Sequence, residues 1–198
     1  SLSTGQLKNL IDNHNRTWEQ LRVREKYFSL LNHMTQTIIT ATDPTAMMQT
    51  LVKDFVILLE ADDCYITRWD ADKHQAFPVA TTATLDYPYA EFHFPPNQKN
   101  LTASSLEHGP LVVEDVFNSP YTTPSVIGQF PVHSVIAIPL SYRDVKLGAA
   151  IIGFSKEHCF SNEEIARAEQ AGSHLAIALW DAQQDIELQK RLQESNAL

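Results

Sequence analysis

Apolar residues group into short runs rich in β-branched side chains and longer stretches with helical spacing. Two such runs, 133–141 and 146–154, flank the polar segment 142–145. This pattern predicts an antiparallel hairpin whose strands lie in the middle of a buried sheet. Ser161 and Glu164 then stand three residues apart, as a capping box requires, and apolar residues follow at helical spacing. The sequence therefore predicts a strand–turn–strand unit followed by an apolar helix.

The chain before the hairpin predicts two helices and three further strands. Asp43 and Pro44 mark a helix start, because aspartate caps helices and proline is tolerated at the first helical position. Gly109 is typical of a helix C-cap, and Pro78 indicates a strand at a sheet edge or a bulge. Together these elements predict an α+β sandwich with a central antiparallel sheet of about five to six strands and helices packed on one side. The expected helices span 44–60 and 101–108, the strands 64–70, 75–82 and 111–116, and the loops 83–100 and 117–130.

Long polar helices are predicted at both ends of the chain. Residues 6–40 contain no glycine or proline, and seven positions recur at alternating spacings of four and three, as in the seam of a coiled coil. We expect 1–29 to form an N-terminal linker or coiled-coil helix and 181–198 to form a C-terminal linker helix that begins a second coiled coil. The alternative is an amphipathic helix that lies on its own domain. The seams are Leu7, Ile11, His14, Trp18, Leu21, Glu25 and Phe28 in the first helix, and Leu175, Leu179, Ala182, Ile186, Gln189 and Gln193 in the second.

Composition argues against nucleic-acid-binding, membrane-spanning and disulfide-stabilised classes of protein. The formal net charge of −9 argues against a nucleic-acid-binding surface, for which a basic face is expected. No apolar stretch reaches the length of a membrane span. Cys64 and Cys159 are too few for a disulfide scaffold and fit a reducing cytoplasm. We therefore expect a cytoplasmic protein. The segments 1–5 and 194–198 are not obvious natural ends, so we also expect a piece cut from a longer protein.

A search for catalytic and metal-binding patterns finds no candidate. No glycine-rich phosphate loop, nucleophile elbow, zinc-protease motif or kinase ATP-binding motif is present. The eight histidines and two cysteines show no spacing that pre-forms a metal site. Asp115 is the one carboxylate singled out, because it lies at the end of a predicted strand beside an irregular loop, where it could accept a hydrogen bond from a ligand. We expect no catalytic residues and no metal ligands.

Four segments together resemble the C-terminal half of a GAF domain, the small-molecule sensor module of signalling proteins. They read S-V-I-A-I-P-L, K-L-G-A-A-I-I-G-F, F-S-N-E-E-I and A-I-A-L, and they lie within 134–179. The resemblance extends back to about Leu30 and implies a GAF domain over 30–180 with a GAF-type sandwich fold. In this family the ligand lies between the sheet and the loops that cross it.

The resemblance implies a set of residues that would line a ligand pocket. The alternative is that their side chains fill the core of a closed domain. The candidate ligand-binding residues are Tyr65, Thr67 and Trp69 on the first strand, Phe92, Phe94, Asp115, Phe117 and Tyr121 on the loops, and Ser134, Ile136 and Ile138 on the hairpin.

The identity of the ligand or cofactor is left open, and three ligands known from the family are disfavoured. Covalent bilin is disfavoured because the helix 101–108 carries no cysteine. Haem is disfavoured because a lone histidine is usually a surface or hydrogen-bonded residue; the candidates by position are His93, His108 and His133. Cyclic nucleotide is disfavoured because the segment 97–99 lacks the rest of the phosphodiesterase signature.

The chain most resembles the GAF region of bacterial, especially cyanobacterial, sensor histidine kinases. This resemblance implies a noncatalytic sensory or regulatory domain of a two-component system that binds a small molecule, dimerises through its terminal helices, or both. It would pass a signal to a kinase or other output domain in the same chain. The alternatives are a chromophore- or haem-binding photosensor or redox sensor and a stand-alone enzyme of the methionine sulfoxide reductase type.

Overall fold

A five-stranded antiparallel sheet forms the centre of the computed structural model, which describes residues 3–196. The outermost two residues of each predicted terminal segment, 1–29 and 181–198, lie outside this range. The strands are β1 (Asp63–Asp70), β2 (Gln75–Thr81), β3 (Leu111–Val113), β4 (Ser134–Tyr142) and β5 (Val145–Phe154). Their order is β2-β1-β5-β4-β3, so the hairpin strands β4 and β5 are internal, as the sequence predicts.

Local sequence signals explain the turns and edges of the sheet. Arg143 and Asp144 connect β4 to β5 with φ angles of 47° and 65°, the left-handed conformation that two-residue hairpin loops use. The edge strand β2 shifts register by one residue: Thr67 pairs with Pro78 while Ile66 pairs with Ala80. The proline therefore lies at an edge beside a bulge, which confirms both readings of Pro78.

Within residues 3–196, five α-helices accompany the sheet: α1 (Thr4–Thr40), α2 (Pro44–Leu59), α3 (Leu101–His108), α4 (Pro124–Ile127) and α5 (Asn162–Asn196). The predicted caps are present. Asp43 accepts hydrogen bonds from the backbone N–H groups of Thr45 and Ala46 at the start of α2. Before α5, the Ser161 N–H donates to Glu164 Oε2 at 2.7 Å, and the Glu164 N–H donates to Ser161 Oγ at 3.2 Å.

The two faces of the sheet carry separate apolar clusters. The first face packs against α1, α2 and α5 through side chains that include Cys64, Ile66 and Ile152. The second face is covered by α3 and by the irregular segments around α4, against side chains that include Tyr65 and Val135. The α+β sandwich with long terminal helices is confirmed. The long helices lie on one face and the short α3 lies on the other, so helices cover both faces rather than the one side predicted.

The two long helices run in the same direction and extend past the sheet at opposite ends. Tyr27 Oη donates to Gln170 Oε1 at 2.6 Å, and one helical turn further along α5, His174 Nδ1 lies 3.5 Å from Thr35 Oγ1. Every residue of α1 before Tyr27 is exposed, as is every described residue of α5 from 184 onward. Within residues 3–196, no helix combines the length and apolarity needed to cross a bilayer.

Candidate ligand cavity

A cavity of about 60 Å³ lies between the second face of the sheet and the segments that cover it. We call it the aromatic cavity. The sheet contributes Tyr65, Val135 and Ile151 to its walls, and α3 contributes Leu101 and Thr102. The loops on either side of α3 contribute the rest of the walls. The family resemblance implies a ligand pocket at this position.

Five aromatic rings pack around one wall of this cavity. The Phe130 ring makes edge-to-face contacts with Tyr65 at a centroid distance of 5.2 Å and with Phe92 at 5.1 Å. Phe92 packs edge-on against Phe94 at 4.6 Å, and Tyr89 lies 5.9 Å from Tyr65. Such pairs add stability beyond their buried area. The rings therefore form a preassembled wall that occupies much of the space between the sheet and the loops.

The helix α3 is fixed over the cavity by hydrogen bonds at its start and in its first turn. Asn100 Oδ1 accepts from the Ala103 N–H at 2.8 Å, which caps the helix. The Thr102 and Thr67 hydroxyls lie 2.7 Å apart, and both side chains are buried. Because Thr67 Oγ1 also lies 3.4 Å from the Ala149 carbonyl oxygen, this pair ties α3 to both β1 and β5.

One buried polar group beside the cavity has no partner within the described residues. The Tyr65 side chain is 4% exposed, and its hydroxyl makes no hydrogen bond. Burial, with smaller contributions from Asp63 and other nearby acidic groups, raises the pKa of the Tyr65 phenol far above its ordinary value. The group is therefore a neutral phenol whose hydrogen-bonding capacity is unused.

The structure brings six of the predicted site residues into this region. Tyr65, Phe94 and Tyr121 line the aromatic cavity directly. Thr67 does not line the cavity itself, but its hydroxyl is hydrogen-bonded to Thr102, which does. The other two, Trp69 and Phe92, pack in the same apolar cluster.

Three other predicted site residues support loops and turns. Asp115 Oδ1 accepts from the Phe117 N–H at 2.9 Å, and Oδ2 accepts from the Asn118 side-chain amide at 2.6 Å. These bonds, the Asn118 contribution being the largest, lower the pKa of the Asp115 carboxyl. Phe117 is half exposed against the His133 ring. Ser134 Oγ donates to the Glu114 carbonyl at 2.6 Å and accepts from a backbone N–H, so its hydroxyl is engaged away from the cavity.

Ile136 and Ile138 lie on the opposite face of the sheet. Both are 2% exposed and belong to the cluster that packs against the long helices. Their neighbours Val135 and Ala137 face the second cluster instead, since side chains alternate along a strand. The structure therefore corrects the placement of these two isoleucines beside the cavity.

Residues that the sequence analysis missed form much of the wall. Tyr89, Ile127 and Phe130 come from loops or a short helix, whose irregular backbone has no periodic signal. Val135 pairs with Gly153 and Ile151 pairs with Ala137, and both Val135 and Ile151 line the cavity. They could have been found only if it were known which side chains of the hairpin strands face the cavity.

No cysteine or histidine is among the described residues that line the aromatic cavity. Cys64 is fully buried on the first face, where burial raises the pKa of its thiol, and Cys159 is exposed before α5. His93 and His108 are exposed and His133 is partly buried, and each has Nδ1 within hydrogen-bond distance of a backbone carbonyl. Among residues 3–196, no three histidine, cysteine, aspartate or glutamate side chains cluster to hold a metal ion.

Replacing Tyr65 with phenylalanine is expected to stabilise the unliganded domain. A buried hydroxyl without a partner costs roughly 1–3 kcal/mol, and Tyr65→Phe removes it while keeping the ring. We expect the melting temperature to rise by about 3 °C. Tyr89→Phe is the matched control, because the Tyr89 hydroxyl lies 3.5 Å from the Ile66 carbonyl and its loss brings no gain. A lower melting temperature for Tyr65→Phe would show that the hydroxyl is satisfied in solution.

Comparisons with known proteins agree with this fold. A family model described as GAF domain matches residues 41–179. No curated protein sequence matches the chain. The domain boundaries 30 and 180 remain predictions.

Solved structures of low sequence identity share the architecture. A GAF domain from a phosphoenolpyruvate-protein phosphotransferase of Coxiella burnetii superposes with a TM-score of 0.70 at 20% identity, covering 81% of this chain and 96% of its own. A free methionine-R-sulfoxide reductase of Neisseria meningitidis in complex with its substrate gives 0.65 at 14%, covering 80% and 91%. A domain of a putative two-component sensor histidine kinase of Sinorhizobium meliloti 1021 gives 0.59 at 15%, covering 75% and 99%.

Proposed function

The chain belongs to the GAF domain family, and on that premise we propose that it is the noncatalytic sensory domain of a two-component sensor histidine kinase. In this proposal it forms a homodimer through its terminal helices and relays a signal to a kinase or other output domain in the same chain. The observation that carries the proposal is the uncovered apolar row on α1. Leu7, Ile11, Trp18, Leu21 and Phe28 are each about half exposed.

The course of the two long helices supports a relay. Because α1 and α5 run in the same direction and extend past opposite ends of the sheet, a displacement between them can be transmitted along the molecule. Of the predicted α5 seam, Leu175, Leu179 and Ala182 are buried in the core of their own domain. A partner helix can therefore meet α5 only further along, where Ile186 and Leu192 are exposed.

The proposed dimer is parallel. Heptad-spaced apolar residues bury their surface when two helices pack side by side, and a parallel pair places each seam residue opposite its own copy. This arrangement would carry both α5 helices out of the dimer at the same end, towards the output domains. His14 and Glu25 interrupt the row and would weaken the contact locally.

A small molecule in the aromatic cavity is the proposed input. Tyr65, Phe94 and Tyr121 are the predicted contacts that line it. Because α3 covers this cavity and is hydrogen-bonded to the central strands, a ligand that moves α3 has a direct connection to the sheet on which α5 packs. Ligand binding would then favour one arrangement of α5 over another.

The position of the thiols favours sensing over the enzymatic alternative. A reductase mechanism based on cysteines needs a thiolate at the substrate, whereas Cys64 lies on the other face of the sheet and Cys159 lies outside the cavity. The same geometry argues against covalent attachment of a bilin. We propose that the domain works in the cytoplasm, where both thiols would stay reduced.

Cysteine cross-linking tests the parallel helix pair. In a Cys159→Ser background, Leu21→Cys places a thiol on the seam, and Asn9→Cys places one on the opposite side of α1. A parallel dimer brings two copies of a seam residue within the Cα separation that a disulfide accepts. We expect Leu21→Cys to form a disulfide-linked dimer rapidly under mild oxidation and Asn9→Cys to remain monomeric on a non-reducing gel. Equal cross-linking at the two positions would contradict the proposal.

A further inference from the structure

We propose that the aromatic cavity takes a neutral, planar, mainly apolar molecule of about one ring, whose hydrogen-bond acceptor pairs with the Tyr65 hydroxyl. This inference rests on the proposed sensory function and specifies its input. It follows from the apolar walls, from one buried hydroxyl that has no partner, from the absence of buried charge among the described wall residues, and from a volume that limits the size of the ligand.

The walls determine the shape and polarity of the ligand. Tyr65, Tyr89, Phe94 and Phe130 present rings, and the sheet presents the aliphatic side chains of Val135 and Ile151. A flat ring buries its surface against such walls, and pairs of aromatic rings gain from offset or edge-on contacts. A strongly polar molecule would lose its hydration without replacing it.

The hydrogen-bond inventory identifies the polar contact. The Thr102 hydroxyl is paired with Thr67, and the side chains of Thr122 and Thr123 donate to backbone carbonyls. The Asn100 side chain caps α3. The Tyr65 hydroxyl makes no bond and belongs to a side chain that is 4% exposed. A ligand acceptor that reached this hydroxyl would satisfy a group that the protein leaves unpaired.

The charges of the walls require a neutral ligand. Lys99 is the one lysine, arginine, aspartate or glutamate among the described residues that line the cavity, and its side chain is exposed at the rim. A buried carboxylate or ammonium group would find no opposite charge inside and would lose its hydration. The phenol of Tyr65 donates to a neutral acceptor without creating such a charge.

The volume allows one ring at most, and only when the covering segment moves outward. The cavity of about 60 Å³ is smaller than the roughly 150 Å³ in which an engineered protein cavity holds benzene. Tyr121, Val126 and Phe130 are only half buried and lie on one irregular segment, so this wall can move outward while the sheet stays packed. Entry of a ring would therefore be coupled to movement of the covering segment.

Two probes of the same shape test the proposal. Benzene and pyridine differ by one acceptor atom, and pyridine is unprotonated at slightly alkaline pH. Each is titrated into the full chain while methyl NMR signals of Val135 and Ile151, which line the cavity, are followed. Ile138, on the opposite face, serves as the internal reference. We expect shifts confined to the cavity methyls, with pyridine binding about fivefold more tightly than benzene because of one additional neutral hydrogen bond.

Variants separate the hydrogen bond from the packing. Tyr65→Phe is expected to keep the affinity for benzene and to lose the preference for pyridine, whereas Tyr89→Phe is expected to retain it. Equal binding of both probes to the wild type, a preference that survives Tyr65→Phe, or no binding of either probe would overturn the inference. The dimer has its own test in cross-linking, so failure here is distinguishable from failure of the proposed function.

Discussion

Replacing Gly148 with alanine is expected to lower the free energy of unfolding by about 3 kcal/mol, at the upper end of the usual cost of overpacking. A methyl group at this position would overlap the backbone carbonyl of Thr67 on the neighbouring strand. Because Gly148 pairs with Arg68 in the centre of the sheet, the clash can be relieved only by separating β1 from β5. The strand that moves carries Tyr65 and Thr67, so the cavity wall moves with it. Thermal unfolding measures the loss, and we expect the melting temperature to fall by about 10 °C.

Gly5→Ala is the matched control for this substitution. A methyl group on Gly5 meets nothing within 4 Å, and the residue lies in the exposed first turn of α1. Alanine there adds helix propensity of up to about 1 kcal/mol and should not lower the melting temperature. A Gly148→Ala variant as stable as the wild type would mean that β1 and β5 approach each other less closely than described.

Replacing Leu21 with glutamate is expected to weaken dimerisation by about 100-fold or more. Leu21 is 54% exposed in the single chain and lies on the apolar row of α1. Burial of one leucine contributes roughly 1.5–3 kcal/mol, and a symmetric dimer loses two copies. Two glutamates facing each other would add repulsion. Sedimentation equilibrium over a concentration series measures the change in dissociation constant.

Asn9→Glu adds the same charge away from the apolar row and serves as the control. Asn9 lies two residues from both Leu7 and Ile11, which places it on the far side of the helix. We expect this variant to dimerise like the wild type. If Leu21→Glu and Asn9→Glu behave alike, the row on α1 does not form the interface.

Local signals in the sequence were sufficient to predict the elements of the fold. The capping residues Asp43 and Ser161 predicted helix starts that the structure confirms within a residue. The polar turn between two β-branched runs predicted the hairpin, and Pro78 predicted an edge or bulge. Each of these features depends on interactions within a few residues, which a single sequence records directly.

Periodicity could not predict which side chains of the hairpin strands lie on which face of the sheet. Between residues 134 and 140, five consecutive side chains of β4 are buried, because both faces of the central strands are covered. A strand buried on both sides reads as a continuous apolar run, and a shift of one residue exchanges the faces. Ile136 was therefore assigned to the wrong side, while Val135 on the cavity wall was missed.

The irregular segments explain the remaining differences between the predicted and the observed site residues. Phe94 and Tyr121 were found because the family resemblance places the ligand beside the loops that carry them. Tyr89 and Phe130 reach the cavity through backbone turns that have no periodic pattern. Asp115 was selected for its position at the end of a predicted strand. In the structure its carboxylate caps the adjoining turn. Short polar side chains next to turns often satisfy neighbouring backbone groups, and sequence alone does not distinguish this role from ligand binding.

Sedimentation equilibrium of the unmodified 198-residue chain tests the central claim most directly. A sensory domain that relays a signal through paired helices should sediment as a dimer at micromolar concentration. The dimer should dissociate on Leu21→Glu and persist on Asn9→Glu. A wild-type chain that remains monomeric across the concentration series would contradict the proposed relay, whatever the aromatic cavity binds.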